Sequence, residues 1–165
     1  MNADELIRLL KLKPHPEGGY FAETYRAAEA LAAAALPPRY HGARALSTAI
    51  YYLLTDDSFS AMHRLKSDEV FHFYLGDPVE MLLLPPSGSG QVTSLGNDLS
   101  RGALPQLVVP AGVWQGARLK PGGRFALLGC TVAPGFDFAD FEVGPREALT
   151  RLYPDFADLI SRLTR

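Results

Sequence analysis

A chain of 165 residues, 47% apolar and 21% charged with a formal charge of −2, has the composition of a soluble globular protein, long enough for one well-buried core and short for two domains. No basic run or positive excess is available to neutralise phosphates, so a nucleic-acid interface is not expected, and no apolar run approaches the length of a membrane span. The amino terminus carries no basic segment followed by a long apolar one, and the single Cys130 cannot form an internal disulfide, so a cytoplasmic location is expected.

The first predicted element is a short helix, with Leu6, Ile7, Leu9 and Leu10 on one apolar side after an Asp4 cap, stopped by Pro14 and Pro16. Residues 17–25 then read as a strand entered through the pair Gly18-Gly19, so that a helix and a strand occupy about 4–26. Residues 27–38 are alanine-rich and end in Pro37-Pro38. Their composition favours helix, whereas the lack of large apolar anchors favours a surface excursion. From Ala45 onward short strands follow one another over 47–54, 70–74, 79–84, 91–95, 106–109, 113–119 and 124–132, separated by turn residues such as Gly76-Asp77-Pro78 and Pro121-Gly122-Gly123. Regular turns without intervening helices indicate an antiparallel sandwich or barrel with a core of about 45–135, all within one domain spanning 1–165. Helical segments over about 145–164 close the chain, since Pro154 suits a first turn and Phe156, Leu159, Ile160 and Leu163 recur at helical spacing for core packing.

Chemistry concentrates between Phe59 and Gly76 and between Pro110 and Gln115. His63 and Glu69 share a face if the chain runs extended or bends back between them, whereas His72 has the opposite parity to Glu69 and reaches the same side only through a bulge or strand end. His72, between Phe71 and Phe73, is therefore balanced between a site residue and a satisfied strand histidine. Trp114 with Gln115 reads as a pocket wall plus a hydrogen-bonding group, or Trp114 as ordinary core. Glu17 and Glu23 flank the glycine turn, and His15 and His41 read as surface loop residues. Apolar neighbours Leu127, Leu128 and Val132 favour a core thiol at Cys130 over a nucleophile.

The pattern His63-x5-Glu69-x6-Gly76, followed by Pro110-x-Gly112-x2-Gln115, resembles the two motifs of the cupins. More narrowly, Pro14-His15-Pro16-Glu17-Gly18-Gly19-Tyr20, Ser47-Thr48-Ala49-Ile50-Tyr51, Phe59-Ser60-Ala61-Met62-His63-Arg64, residues 68–74 and residues 129–136 resemble the Cupin-5 type family, long catalogued as a domain of unknown function, over about Leu6 to Leu163. The resemblance implies a mainly all-β double-stranded β-helix, or jelly-roll barrel, with a short N-terminal helix and C-terminal helices, a dimeric state, and a ligand site in the barrel mouth. It places Glu17 towards the pocket rim.

Metal-binding cupins present two histidines and a glutamate in the first motif and another histidine in the second, a set suited to a divalent transition metal. Here Leu65 and Gln115 occupy two of those places, so no cofactor is expected; a divalent metal, if bound, would use His63, Glu69 and His72. Without metal, a histidine beside a buried carboxylate is a competent acid or base. The resemblance extends to the metal-free sugar-nucleotide epimerases of the superfamily, which use a histidine base and a tyrosine acid. It implies His63 as base and Tyr20, Tyr52 or Tyr74 as acid, with Tyr74 the foremost. Glu69, His72, Gln115, Tyr20, Tyr52, Trp114 and Glu17 are the candidate ligand-binding residues.

Three functional classes follow: a metal-independent epimerase or isomerase acting on a small polar metabolite such as a sugar or sugar-nucleotide, a non-catalytic small-molecule-binding module, and a divergent metal-dependent enzyme. Homodimerisation is expected independently, because Tyr20, Phe21 and Tyr25 supply an aromatic strand able to add to a neighbouring sheet edge. Neither nucleic acid nor membrane is an expected partner.

Overall fold

The computed structural model describes all 165 residues. Helix α1 (Ala3–Leu9) is followed by strands β1 (Lys13–Pro14), β2 (Tyr20–Arg26), β3 (Ala30–Leu31), β4 (Arg44–Ala45), β5 (Thr48–Thr55), β6 (Phe59–Leu65), β7 (Asp68–Gly76), β8 (Val79–Leu84), β9 (Gln91–Leu95), β10 (Gln106–Val109), β11 (Trp114–Leu119), β12 (Phe125–Ala133) and β13 (Phe141–Val143), and then by helices α2 (Arg146–Leu152) and α3 (Ala157–Arg162). One sheet has six strands in the order β1-β2-β5-β12-β7-β10, a second has five in the order β13-β6-β11-β8-β9, and β3 pairs with β4 alone. Every pairing within these sheets is antiparallel.

Alternation along each strand decides what goes inside. In β7, Glu69, Phe71 and Phe73 are buried while Asp68 and Tyr74 are exposed. The inward rows of both sheets, including Tyr52, Phe71 and Leu128 from one and Met81, Leu83 and Ala117 from the other, interdigitate into the main core. Each such large side chain contributes about 1.5–3 kcal/mol by leaving water. Two smaller clusters lie on the outer faces. Leu53, Phe125 and Leu127 pack beneath Leu6 of α1, and Met62, Leu82, Leu84 and Trp114 pack beneath Leu149, Ile160 and Leu163 of α2 and α3. This double covering explains why Tyr51-Tyr52-Leu53-Leu54 reads as a continuous apolar run: its outward residues face a helix rather than solvent. The predicted stripe of Phe156, Leu159, Ile160 and Leu163 is indeed core packing.

Several local expectations are corrected. The cap of α1 is Asn2, whose side chain accepts from the Glu5 backbone N–H at 2.9 Å while the Glu5 carboxylate accepts from the Asn2 N–H at 2.9 Å, a reciprocal box that places Asp4 in the first turn. Residues 27–38 hold only the two residues of β3 and a single 3₁₀ turn at Ala33–Ala35, because alanines without anchors have no face to bury. Residues 59–65, read above for their histidine rather than as an element, form the full strand β6. No helix is long and apolar enough to cross a membrane.

Candidate functional site

The turn between β1 and β2 brings the site together. Gly18 and Gly19 take φ of +116° and +68°, and a Cβ on Gly18 would strike the Phe59 carbonyl, so glycine is required where the turn presses against β6. The Gly18 N–H donates to the His15 carbonyl at 3.0 Å, the His15 N–H to the Gly19 carbonyl at 2.9 Å, and the Ala61 N–H to the Glu17 carbonyl at 2.9 Å. Arg165 donates to the carbonyls of Pro16 and Glu17, both at 3.2 Å, and pins the turn from the outside. The result directs His15 and Glu17 inward, with their side chains only 7% and 9% exposed.

Glu17 meets His63 there. Its Oε2 lies 3.2 Å from His63 Nε2, and its Oε1 accepts from the Ser60 hydroxyl at 2.8 Å. His63 Nδ1 lies 2.7 Å from the Ala61 carbonyl. A carbonyl can only accept, so Nδ1 carries the proton of that bond, and Nε2 is the ring atom that faces the Glu17 carboxyl. The imidazole stacks on Phe141 with ring centroids 5.1 Å apart. His15 packs edge-on against Phe21 and Tyr52 at 4.7 and 5.8 Å, and burial holds its imidazole below the usual range, opposed by the Glu17 charge.

The carboxyl of Glu69 lies across the same cavity. Burial pushes it up to about 7; the neighbouring Glu17 charge acts in the same direction, while His63 and a hydrogen bond from Gln115 oppose it. Gln115 Nε2 donates to Glu69 Oε2 at 2.7 Å, and Gln115 Oε1 has no protein partner. The Cys130 thiol is raised well above its ordinary value by burial and then by Glu69, so it stays protonated and unreactive. Tyr52 reaches the cavity by its ring, but its hydroxyl donates to the Gly18 carbonyl at 2.8 Å, and burial raises its pKa. Together these groups line a cavity of about 330 Å³, within the size range of small-molecule sites. Its mouth is framed by Phe136, Phe138 and Phe141 and by the pair Glu23–Arg26.

Of the predicted site residues, His63, Glu69, Glu17 and Tyr52 meet at this cavity, and Gln115 stands behind Glu69. Four others do not. Tyr74 is 48% exposed on the opposite face of β7, close to Tyr51. His72 shares that outer face, between Thr131 Oγ1 and Gln106 Nε2 at 3.2 Å each, because the irregularity in the β7–β12 register falls beyond it and leaves its parity unchanged. Tyr20 packs with the cluster under α1, and Trp114 packs under α2 and α3, with the Arg64 guanidinium 4.4 Å above its ring. Phe21 lines the cavity, so of the three aromatics proposed for edge pairing only Tyr25 is freely presented, 55% exposed. His15, read as a surface residue, is part of the cavity wall; its tight spacing to Glu17 ahead of two glycines was the available signal. His41 is exposed as expected.

The metal ligands expected from the sequence do not come together. With His72 on the far face, His63, Glu69 and His72 do not converge, and Leu65 occupies the wall where a further ligand would stand. No group of three or more His, Cys, Asp or Glu side chains is arranged to hold an ion.

Comparison with known proteins agrees with this architecture. Residues 4–144 match the family model described as "Cupin superfamily (DUF985)". An uncharacterized Saccharomyces cerevisiae protein, YML079W, is 34% identical over 146 residues, covering 82% of this chain and 72% of that one. The crystal structure of protein SO0799 from Shewanella oneidensis is 37% identical with a TM-score of 0.87, covering 100% of this chain and 98% of that one. A hypothetical protein from Leishmania major is 31% identical with a TM-score of 0.88 over 99% of both chains. The Bacillus subtilis oxalate decarboxylase shares the fold alone, at 14% identity and a TM-score of 0.53 over 91% of this chain and 36% of that one. The jelly-roll barrel, the order of its strands and the match across residues 4–144 place this chain in the cupin superfamily, within the family designated DUF985.

Proposed function

We propose that this protein binds a small molecule in the barrel cavity and moves a proton on it without a metal, an isomerase- or epimerase-type reaction. The observation that carries this reading is the His63–Glu17 contact at 3.2 Å, in a ring whose Nδ1 is fixed by the Ala61 carbonyl. Nε2 is the base, and Glu17 orients the ring and stabilises its cation. Glu69 supplies the complementary group: a carboxyl that burial keeps largely protonated up to about pH 7 is a proton donor where an ordinary glutamate is not. The acid is therefore assigned to Glu69 in place of Tyr74. A sugar or sugar-nucleotide substrate rests on analogy with other metal-free cupins, which is an analogy of fold.

The test begins with native mass spectrometry of protein purified without added ligand, to identify a retained small molecule. That molecule is then incubated with the protein in deuterated water. Incorporation of deuterium at carbon, unaffected by EDTA and reduced about 10²–10⁴-fold in His63→Gln and Glu17→Gln, supports the reading. Saturable binding without exchange would leave a binding module and remove the catalytic assignment; exchange abolished by EDTA would restore the metalloenzyme.

A further inference from the structure

The charges around the cavity are distributed unevenly. Acidic side chains on its wall are Glu17, Glu23, Glu69 and Asp137, against Arg26; Glu23 and Arg26 pair with each other and burial favours the neutral form of Glu69, so the charges that remain are those of Glu17, beside His63, and Asp137. That guanidinium is held by internal partners: Nε and Nη2 donate to the two carboxylate oxygens of Glu23 at 3.0 and 2.7 Å, and Nη1 and Nη2 donate to the Phe136 carbonyl at 3.3 and 3.2 Å. Its fork geometry is thus spent on an internal partner and is not offered to a ligand. Burial disfavours the charged form of His15, opposed by the Glu17 charge. An anion entering here would find no unpaired Arg or Lys and would approach the carboxylates of Glu17 and Asp137.

The other wall component is aromatic. Phe136 and Phe138 meet edge to face at 5.0 Å, Phe138 and Phe141 at 6.5 Å, and Phe21 closes the opposite side. Aromatic faces attract organic cations through the ring quadrupole, and carboxylates add to that attraction. A diphosphate, which typically draws on free Arg, Lys or backbone N–H donors, has no matching group on the wall.

We infer that the cavity takes a small organic cation, an amine with an apolar body, in preference to a phosphorylated or carboxylated metabolite. The inference rests on the reading that this cavity is the ligand site, and it replaces the sugar-nucleotide class suggested by analogy with a class chosen by charge and aromatic lining.

Three probes sharing a phenylethyl frame separate the charges: 2-phenylethylamine, 2-phenylethanol and phenylacetate, titrated against the full chain near neutral pH and followed by protein-detected NMR. For ligands this small a Kd in the millimolar range is expected, so titration runs to about 20 mM. The ammonium probe should saturate and bind at least about tenfold more tightly than phenylacetate, with the alcohol between them. Phe138→Ala, at an exposed ring, should weaken the ammonium about threefold. Glu23→Gln, which frees the Arg26 guanidinium, should narrow the ammonium-to-carboxylate preference by about tenfold. Phenylacetate binding as tightly as the ammonium in the unaltered protein, or no saturation by the ammonium at all, overturns the inference. His63→Gln should keep the charge preference, so failure of proton exchange and failure of the ligand class are read separately.

Discussion

Glu69→Gln tests whether burial keeps the Glu69 carboxyl neutral. In the folded protein the group titrates at about 7 rather than at its ordinary 4.5. Below 4.5 both folded and unfolded chains hold the proton and there is no penalty. Between 4.5 and 7 the unfolded chain ionises while the folded one does not, so stability falls as pH rises and levels off once pH has passed through the folded value. At 1.36 kcal/mol per unit, the full penalty is about 3 kcal/mol, and most of it develops between pH 5 and pH 8. Glutamine fills the same volume, keeps an oxygen to accept from Gln115 Nε2, and does not titrate. Urea unfolding of both proteins at pH 5 and pH 8, compared as a double difference, cancels every titrating group that does not interact with Glu69. The variant should gain about 2–3 kcal/mol on the parent between the two pH values. Parallel pH curves would refute the argument and with it the assignment of Glu69 as a proton donor.

The deuterium-exchange assay predicts that His63→Gln and Glu17→Gln each lose about 10²–10⁴-fold in exchange rate while keeping the fold, measured by circular dichroism and mass spectrometry. The matched probes predict preference for an ammonium over a carboxylate, narrowed about tenfold by freeing Arg26. Asp140→Asn should cost about 3–5 kcal/mol in urea unfolding, because Arg44 Nε and Nη2 donate to both Asp140 oxygens at 2.7 Å with each side chain 5% exposed or less, and a buried guanidinium would lose its charge partner; a cost under 1 kcal/mol, the range of exposed pairs, would count against that burial. Self-association is expected through the outer face of the six-stranded sheet, where Tyr25, Tyr74 and Val108 are each about half exposed beyond the reach of α1. Sedimentation at micromolar concentration should give a dimer that Tyr74→Arg weakens, and a monomer in the parent would count against it.

Local patterning in this chain was sufficient for most of the barrel. Residues 79–84, 91–95 and 106–109 alternate cleanly or run apolar between turn residues, and β8, β9 and β10 have those same bounds. The motif containing His63 and Glu69 likewise named two groups of the cavity, since their spacing and their setting in strands are local facts. What no local pattern contains is the partner across the fold. Glu17 lies 46 residues before His63 in the chain, and only a turn forced by Gly18 against β6 brings their side chains together. His72 illustrates the converse. It is adjacent to the motif and chemically suitable, yet strand parity sends it to the opposite face, because the register shift that would have re-aimed it falls beyond it. Tyr74 and Trp114 were lost from the site for the same reason, a side chain's face being fixed by pairing and by which surfaces the terminal helices cover. The charge of the cavity also belongs to tertiary structure. Arg26 and Glu23 are unremarkable in sequence, and it is their pairing at the mouth that leaves Glu17 and Asp137 facing a space with no unpaired Arg or Lys.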